Sequence, residues 1–413
     1  MANISASKLA ARLLDDCLTG HAWDPDDIEA LAAAALDSDE YLAAAASRAL
    51  FAGLAEPLAD MFEPRLSGEY AKLFSRVLSQ AIPGLDAAHL EMRYTEAAQI
   101  RAAPKDPSRV VVLSRVTLGA DVAITSLFLN AAKRRFPSAE IVFAGTTKAW
   151  GLFERDPRLT HFRVEYGRTA ALASRLACYE PLAQLCSQEG TILLDPDSRL
   201  SQLGLLPLCP APRHYLFESR AIGGDSMEPL PALAARWLES TLGIGGAEPY
   251  LHPKFNFDFG ELPVVTASFG VGENPAKRAS GSFEREIATH LGGLGAQVFI
   301  DAGAPGSEEE ARVRTAVSEA GECGQRIGIH SGPFASFAAM IAASKLYFGY
   351  DSAGQHVAAA MGVPLVSVFK GFVNERMLAR WTPCGPGPVT VLRADRFAND
   401  DELLAAAVRA LSL

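Results

Sequence analysis

A chain of 413 residues is too long for one compact core and calls for two or three domains. Its 49% hydrophobic and 21% charged residues are the composition of a globular protein and argue against disorder. A formal net charge of −10 argues against binding a phosphate backbone over a broad face, so no nucleic-acid partner is expected, while a local basic pocket for a small phosphorylated ligand stays compatible.

The amino terminus, "MANISASKLAARLLDD", has no continuous apolar core with a small-residue cleavage site, so secretion is not expected. No run approaches the ~20 apolar residues that span a bilayer, which leaves at most peripheral membrane contact. The six cysteines lie far apart without a CxxC pair, and read as reduced thiols of a cytoplasmic protein, with no disulfide framework and no metal site. Residues 1–105 carry helical periodicity and form an expected all-helical domain. Asp24 before Pro25 in "DPDDIEALAAAAL" predicts a capped helix start, and Ser38 in "SDEYLAAAASRALFAGL" predicts another. The segment "RAAPKDPSR" marks a boundary.

From Val110 short β-branched runs alternate with amphipathic stretches. Strands are predicted at 110–114, 140–145, 161–166, 191–196 and 214–219, with helices near 121–136, 148–156 and 171–187. Glycines and prolines at 243–263 interrupt the pattern as a linker. It resumes with strands at 264–270, 296–303, 326–330, 346–352 and 364–369, and "DELLAAAVRALSL" closes the chain as a helix. Continuous apolar strands between helices mean parallel sheets covered on both faces. The expected fold is therefore α/β: two doubly wound Rossmann-like domains, at 106–250 and 251–398, with a terminal helix at 399–413. Ligands of such sheets bind beyond the carboxyl ends of the strands, and the cleft between two such domains is the default site.

Four strand-to-loop junctions carry polar residues at those ends. In "LSRVTLGADVAITSLFLNAAKRRFP", Asp121 opens a helix; it is either a cap or a carboxylate available as a general base. In "LLDPDSRLSQLGLLP", Asp195, Arg199 and Ser201 are either turn-builders or partners for sugar hydroxyls. In "SFGVGENPAKRASGSF", Lys277 and Arg278 could hold a diphosphate; the GxGxxG spacing of a dinucleotide fold is missing. In "FGYDSAGQHVAAAMGVPLVSVF", Ser352, Gly354 and Gln355 open a helix whose free N–H groups suit a phosphate, with Asp351 and His356 on either side.

Taken in order, these stretches resemble glycosyltransferase family nine, the heptosyltransferase-like enzymes. "SRVTLGADVAITSLFLNAAKRRFPSAEIVFAG" looks like the family's strand, serine- and glycine-rich turn and Asp-Val pair. "DPDSRLS" is similar to its middle element, Lys277–Arg278 to its cation loop, and "DSAGQHVAAAMGVPLVSVFKG" to its donor loop. "NERMLARWTPCGP" resembles its usual tail. The resemblance covers about residues 110–395. It departs from the pattern in three places: Ala120 is inserted between the usual Gly and Asp, Ala353 replaces a common glycine with Gly354 one place later, and Ala279 replaces a tryptophan.

What the resemblance implies is a GT-B fold, with the acceptor held by the amino half and a nucleotide-sugar donor by the carboxyl half. It implies an inverting, metal-independent transfer without a cofactor to a saccharide, glycolipid or protein acceptor. Asp121 matches the catalytic base and Lys277 the cation on the donor phosphates, with Arg278, Ser352, Gly354 and Gln355 beside it. Asp351 and His356 match the donor loop, and Asp195, Arg199 and Ser201 fall to the acceptor side. The rival expectations are a non-catalytic nucleotide-sugar-binding protein on the same fold and, third, a nucleotide-sugar epimerase.

Overall fold

The structure is a computed structural model that describes residues 5–167, 169–272 and 274–411. The chain divides into two compact units. The first comprises Met1–Val116, Ala131–Thr146 and Arg158–Ala247, and the second Thr117–Asn130, Thr147–Pro157 and Glu248–Leu413.

In the first unit the helices Ala6–Thr19, Pro25–Ala35, Glu40–Leu50, Pro64–Ala81 and Ala87–Ala97 precede any strand. Asp24 caps the second of these as its sequence predicts, accepting the Asp26 N–H at 3.0 Å with Pro25 in the first turn. The third is capped by Asp39 instead of Ser38: its carboxylate takes the N–H groups of Tyr41 and Leu42, which the shorter serine one place earlier cannot reach. A π turn at Phe51–Ala55 continues that helix, and the stretch Glu40–Asp60 has the length and composition of a membrane span, contrary to the reading that no run does. Half of it is buried inside the protein, as in a core helix.

The sheet of this unit follows, with β1 (Arg109–Leu113), β2 (Glu140–Gly145), β3 (Leu159–Arg163), β4 (Thr191–Asp195) and β5 (His214–Leu216). All pairs are parallel, in the order β3-β2-β1-β4-β5. One face of this sheet shares its core with the preceding helices. Val111, Leu113, Ala144 and Leu193 share one apolar cluster with Leu50, Leu54, Tyr70, Phe74 and Leu78 of the preceding helices. The amino-terminal block is thus packed on the sheet, because its amphipathic helices have no other apolar surface to cover.

The second unit holds β6 (Val264–Ser268), β7 (Gln297–Asp301), β8 (Ile327–His330), β9 (Leu346–Tyr350), β10 (Leu365–Phe369) and β11 (Val389–Arg393). The order is β11-β10-β9-β6-β7-β8, again all parallel. The edge strand β11 was not anticipated; "VTVLR" is only half buried and lacks the continuous apolar run of the central strands β9 and β10. The strand order reverses between β6 and β9. That switch point leaves a crevice at their carboxyl ends, where ligands of such sheets sit.

Candidate active site

The two loops that leave the switch point carry the expected cation and the expected helix start. After β6, Asn274 caps a short 3-10 turn over Pro275–Lys277. The loop is then tied down three times. Ala279 N–H donates to the Tyr350 hydroxyl at 3.2 Å, Ser280 gives both its N–H and its hydroxyl to Asp400 at 2.6 Å, and Lys370 holds Asp400 at 3.0 Å. Gly371 lets its own backbone pass the loop: a Cβ there would stand 2.7 Å from the Ala276 carbonyl oxygen. Arg278 turns to Glu308 at 3.3 Å, a half-exposed pair.

After β9 comes the helix Ala353–Ala360. Its Ser352 lies in the N-cap position with extended backbone but makes no side-chain capping bond, so the first-turn N–H groups are not closed by that hydroxyl. Gly354 is required by packing. A Cβ there would lie 2.6 Å from Cζ of Tyr347, a ring buried completely beneath the turn. Asp351 joins the two loops: Lys277 Nζ donates to its Oδ2 at 2.5 Å and to its carbonyl oxygen at 3.3 Å. Expected cation and expected acid are thus one ion pair at the switch point.

Gln355 and His356 lie behind this pair. Gln355 is 0% exposed; its Nε2 donates to Asp351 Oδ1 at 2.6 Å and its Oε1 accepts from Ser367 of β10 at 2.5 Å. Its side chain is thus engaged within the protein; the group expected to meet a phosphate is its backbone N–H, at the start of the helix. His356 is buried edge-on to Trp381, 6.0 Å between ring centres. Burial pushes its imidazole down to about 4, with Asp351 opposing the fall and Lys277 adding to it, so it is neutral at physiological pH.

Asp121 belongs to the same unit as these loops. The turn Leu118–Ala120 packs on the helix Ala353–Ala360: a Cβ on Gly119 would stand 3.2 Å from the His356 ring and 3.3 Å from Ala353 Cα. Asp121 then starts a π turn through Thr125, in which the Ser126 N–H reaches back five residues to the Asp121 carbonyl. A π turn holds one residue more than an α turn, and Ala120 is the residue that the sequence reads as inserted between glycine and aspartate. Asp121 is buried and accepts the Thr125 hydroxyl at 2.8 Å.

The remaining candidates lie in the first unit, on the loop after β4. Asp195 and Ser201 are 0% exposed and build the turn. Asp195 takes the Ser198 N–H at 2.7 Å and pairs with His214 at 3.0 Å, while Ser201 donates to the Ser198 carbonyl and accepts from Gly204 N–H. Arg199 pairs with Glu56 of the helical block at 3.1 Å. Capping and turn-building account for these contacts of Asp195 and Ser201. Sequence reading missed Ser367, Thr125 and Tyr347. Ser367 had a signal: a lone hydroxyl inside the buried run "LVSVF" must find a partner. Thr125, four residues after Asp121 on one helix face, had a weaker one.

Residues 266–383 match the sequence profile of glycosyltransferase family 9 (heptosyltransferase). No curated protein matches the sequence. Among solved structures, a glycosyl transferase family 9 protein of Veillonella parvula superposes with a TM-score of 0.53 at 19% identity, covering 75% of this chain and 91% of its own. The E. coli heptosyltransferase WaaC with ADP superposes with a TM-score of 0.52 at 14% identity, covering 73% and 98%. At those identities the two structures speak for the fold, and the profile match, which contains Lys277, Asp351 and His356, is a likeness of residues 266–383. With that match laid over the β6/β9 switch point, the sheet that holds the site is similar to glycosyltransferase family 9, and the chain shares the fold of the two solved structures.

Proposed function

We propose that this protein moves a sugar, a heptose or a related one, from a nucleotide-diphosphate sugar to a hydroxyl of a saccharide, glycolipid or protein acceptor, inverting the anomeric centre without a metal. The observation that carries this reading is that one compact unit brings together the Asp121 turn, the Lys277–Asp351 pair and the open start of the helix Ala353–Ala360. The presence of ADP in the E. coli WaaC structure supports a nucleoside diphosphate as the leaving group.

In this reading the acceptor oxygen attacks the anomeric carbon from the face opposite the diphosphate. The new C–O bond forms as the bond to the diphosphate oxygen breaks, and Asp121 takes the hydroxyl proton. Lys277 Nζ and the first-turn N–H groups at 353–355 meet the charge that grows on the leaving group. Removing one such donor typically lowers transition-state stabilisation by ~2.7–4 kcal/mol. The residues of the acceptor are not assigned.

A second reading, donor binding without transfer, is favoured by the complete burial of Asp121 and its bond to Thr125. Two variants separate the two. Asp121→Asn is expected to lower kcat for transfer at least about a hundredfold while ADP affinity by calorimetry stays within about twofold. Lys277→Ala is expected to weaken ADP about tenfold or more. Full transfer by Asp121→Asn removes the base assignment, and unchanged ADP affinity in Lys277→Ala removes the donor site.

A further inference from the structure

The Lys277 ammonium sits at the end of a line of buried hydrogen bonds that begins in the sheet core: Ser367 to Gln355 at 2.5 Å, Gln355 to Asp351 at 2.6 Å, Asp351 to Lys277 at 2.5 Å. Chemistry fixes the direction of each link. An ionised carboxylate only accepts, so the Gln355 amide must turn Nε2 to Asp351, and its Oε1 then faces Ser367, whose hydroxyl donates. The second amide proton points at His356 Nε2, 3.4 Å away. That nitrogen must offer a lone pair, which places the imidazole proton on Nδ1. The neutral state that burial imposes on His356 is the one this requires.

Gln355 thus has every polar atom engaged, and Ser367 and Gln355 are both 0% exposed, out of reach of a ligand. With Asp351 Oδ1 bound to the amide, Oδ2 and the Asp351 carbonyl take two of the three protons of the Lys277 ammonium. One proton is left to point elsewhere. A lysine ordered in advance loses less rotamer freedom when an anion arrives.

We propose that Gln355, oriented by Ser367, is a positioning residue: it fixes the Asp351 carboxylate, and through it Lys277, as a preformed cation for the diphosphate of the donor. This rests on the donor reading given above. Asp351, on this account, acts on the donor only through the lysine that it holds.

The test is a double-mutant cycle read by calorimetry with ADP, using Gln355→Met, which keeps length without hydrogen bonding. Each of Gln355→Met and Lys277→Ala should weaken ADP about tenfold, and the double variant by no more than Lys277→Ala alone, because the relay acts through the lysine. Losses that multiply, with the Lys277→Ala effect intact, overturn the relay and leave the donor site standing. No effect of Lys277→Ala on ADP overturns both together. Ser367→Ala, which removes one buried hydroxyl, should weaken ADP in the same direction and carries the cycle if Gln355→Met does not fold. Nitrogen-15 NMR of the imidazoles, assigned with His356→Asn, gives a readout independent of stability. His356 should carry its proton on Nδ1 in the wild type and shift toward a tautomer mixture in Gln355→Met. A wild-type proton on Nε2 overturns the proposal.

Discussion

Replacing Gly354 by alanine sets two effects of known sign against each other. Position 354 is in the first turn of a helix, where alanine is favoured over glycine by ~1 kcal/mol. The added methyl, however, would stand 2.6 Å from Cζ and 2.8 Å from Cε2 of Tyr347. The tightest approach is to the Tyr347 hydroxyl oxygen, at 2.1 Å, and ordinary contact begins at 3.4 Å, so helix and ring must part by about 1.3 Å. The ring has little room to swing away, since it is fully buried. Overpacking of this kind costs ~1–3 kcal/mol, and a rigid ring next to backbone belongs to the upper part of that range. The expected net effect is a loss of about 2 kcal/mol, with the helix start displaced and ADP affinity reduced. Gly68, within the helix Pro64–Ala81, supplies the control: nothing lies within 4 Å of its added Cβ, so Gly68→Ala should stabilise by up to ~1 kcal/mol. Thermal melts of the two variants beside the wild type should therefore move in opposite directions. If Gly354→Ala melts as high as Gly68→Ala, the packing of Tyr347 under the donor loop is wrong.

Two further outcomes follow from buried charge. His356 titrates near 6.5 when unfolded and at about 4 when folded, so acid protonates the unfolded chain first. Its contribution is whole above pH 6.5, is lost as pH falls toward 4, and amounts to about 3 kcal/mol in total; unfolding curves across that window that run parallel in wild type and His356→Asn contradict this. In the first unit Arg220 is gripped by both oxygens of Asp197 at 3.0–3.3 Å, each side chain under 5% exposed. Asp197→Asn tolerates the left-handed backbone there (φ +66°) but strands the guanidinium, which should cost about 3 kcal/mol in chemical denaturation; a loss under ~1 kcal/mol means that Arg220 finds other partners.

The alternation of apolar strands and helices was legible because the central strands, β1, β4, β6, β9 and β10, are continuous buried runs. The half-exposed edge strand β11 has no such run, and it was missed. At the site, Asp121, Lys277 and the Asp351–His356 loop could be named from their places after strands. Their relations could not. That Asp351 pairs with Lys277 depends on two loops that are 74 residues apart meeting at one switch point. The two readings of Asp195 and Ser201, turn-building or ligand-facing, could not be separated in sequence, because both kinds of residue have the same local pattern; their complete burial is seen only in the structure. The left-handed backbone of Val116, Gln202 and Leu203 was equally silent, since none of these is a glycine, asparagine or aspartate that would signal it.

The apolar cluster that joins the amino-terminal helices to β1, β2 and β4 leaves no seam in the first unit along which a protein engineer could cut. A shortened version starting at the proline-rich stretch near residue 104 would bare one whole side of its sheet to water and would be sticky rather than minimal. The first hundred residues are part of the scaffold, and any change in them reaches the strands directly.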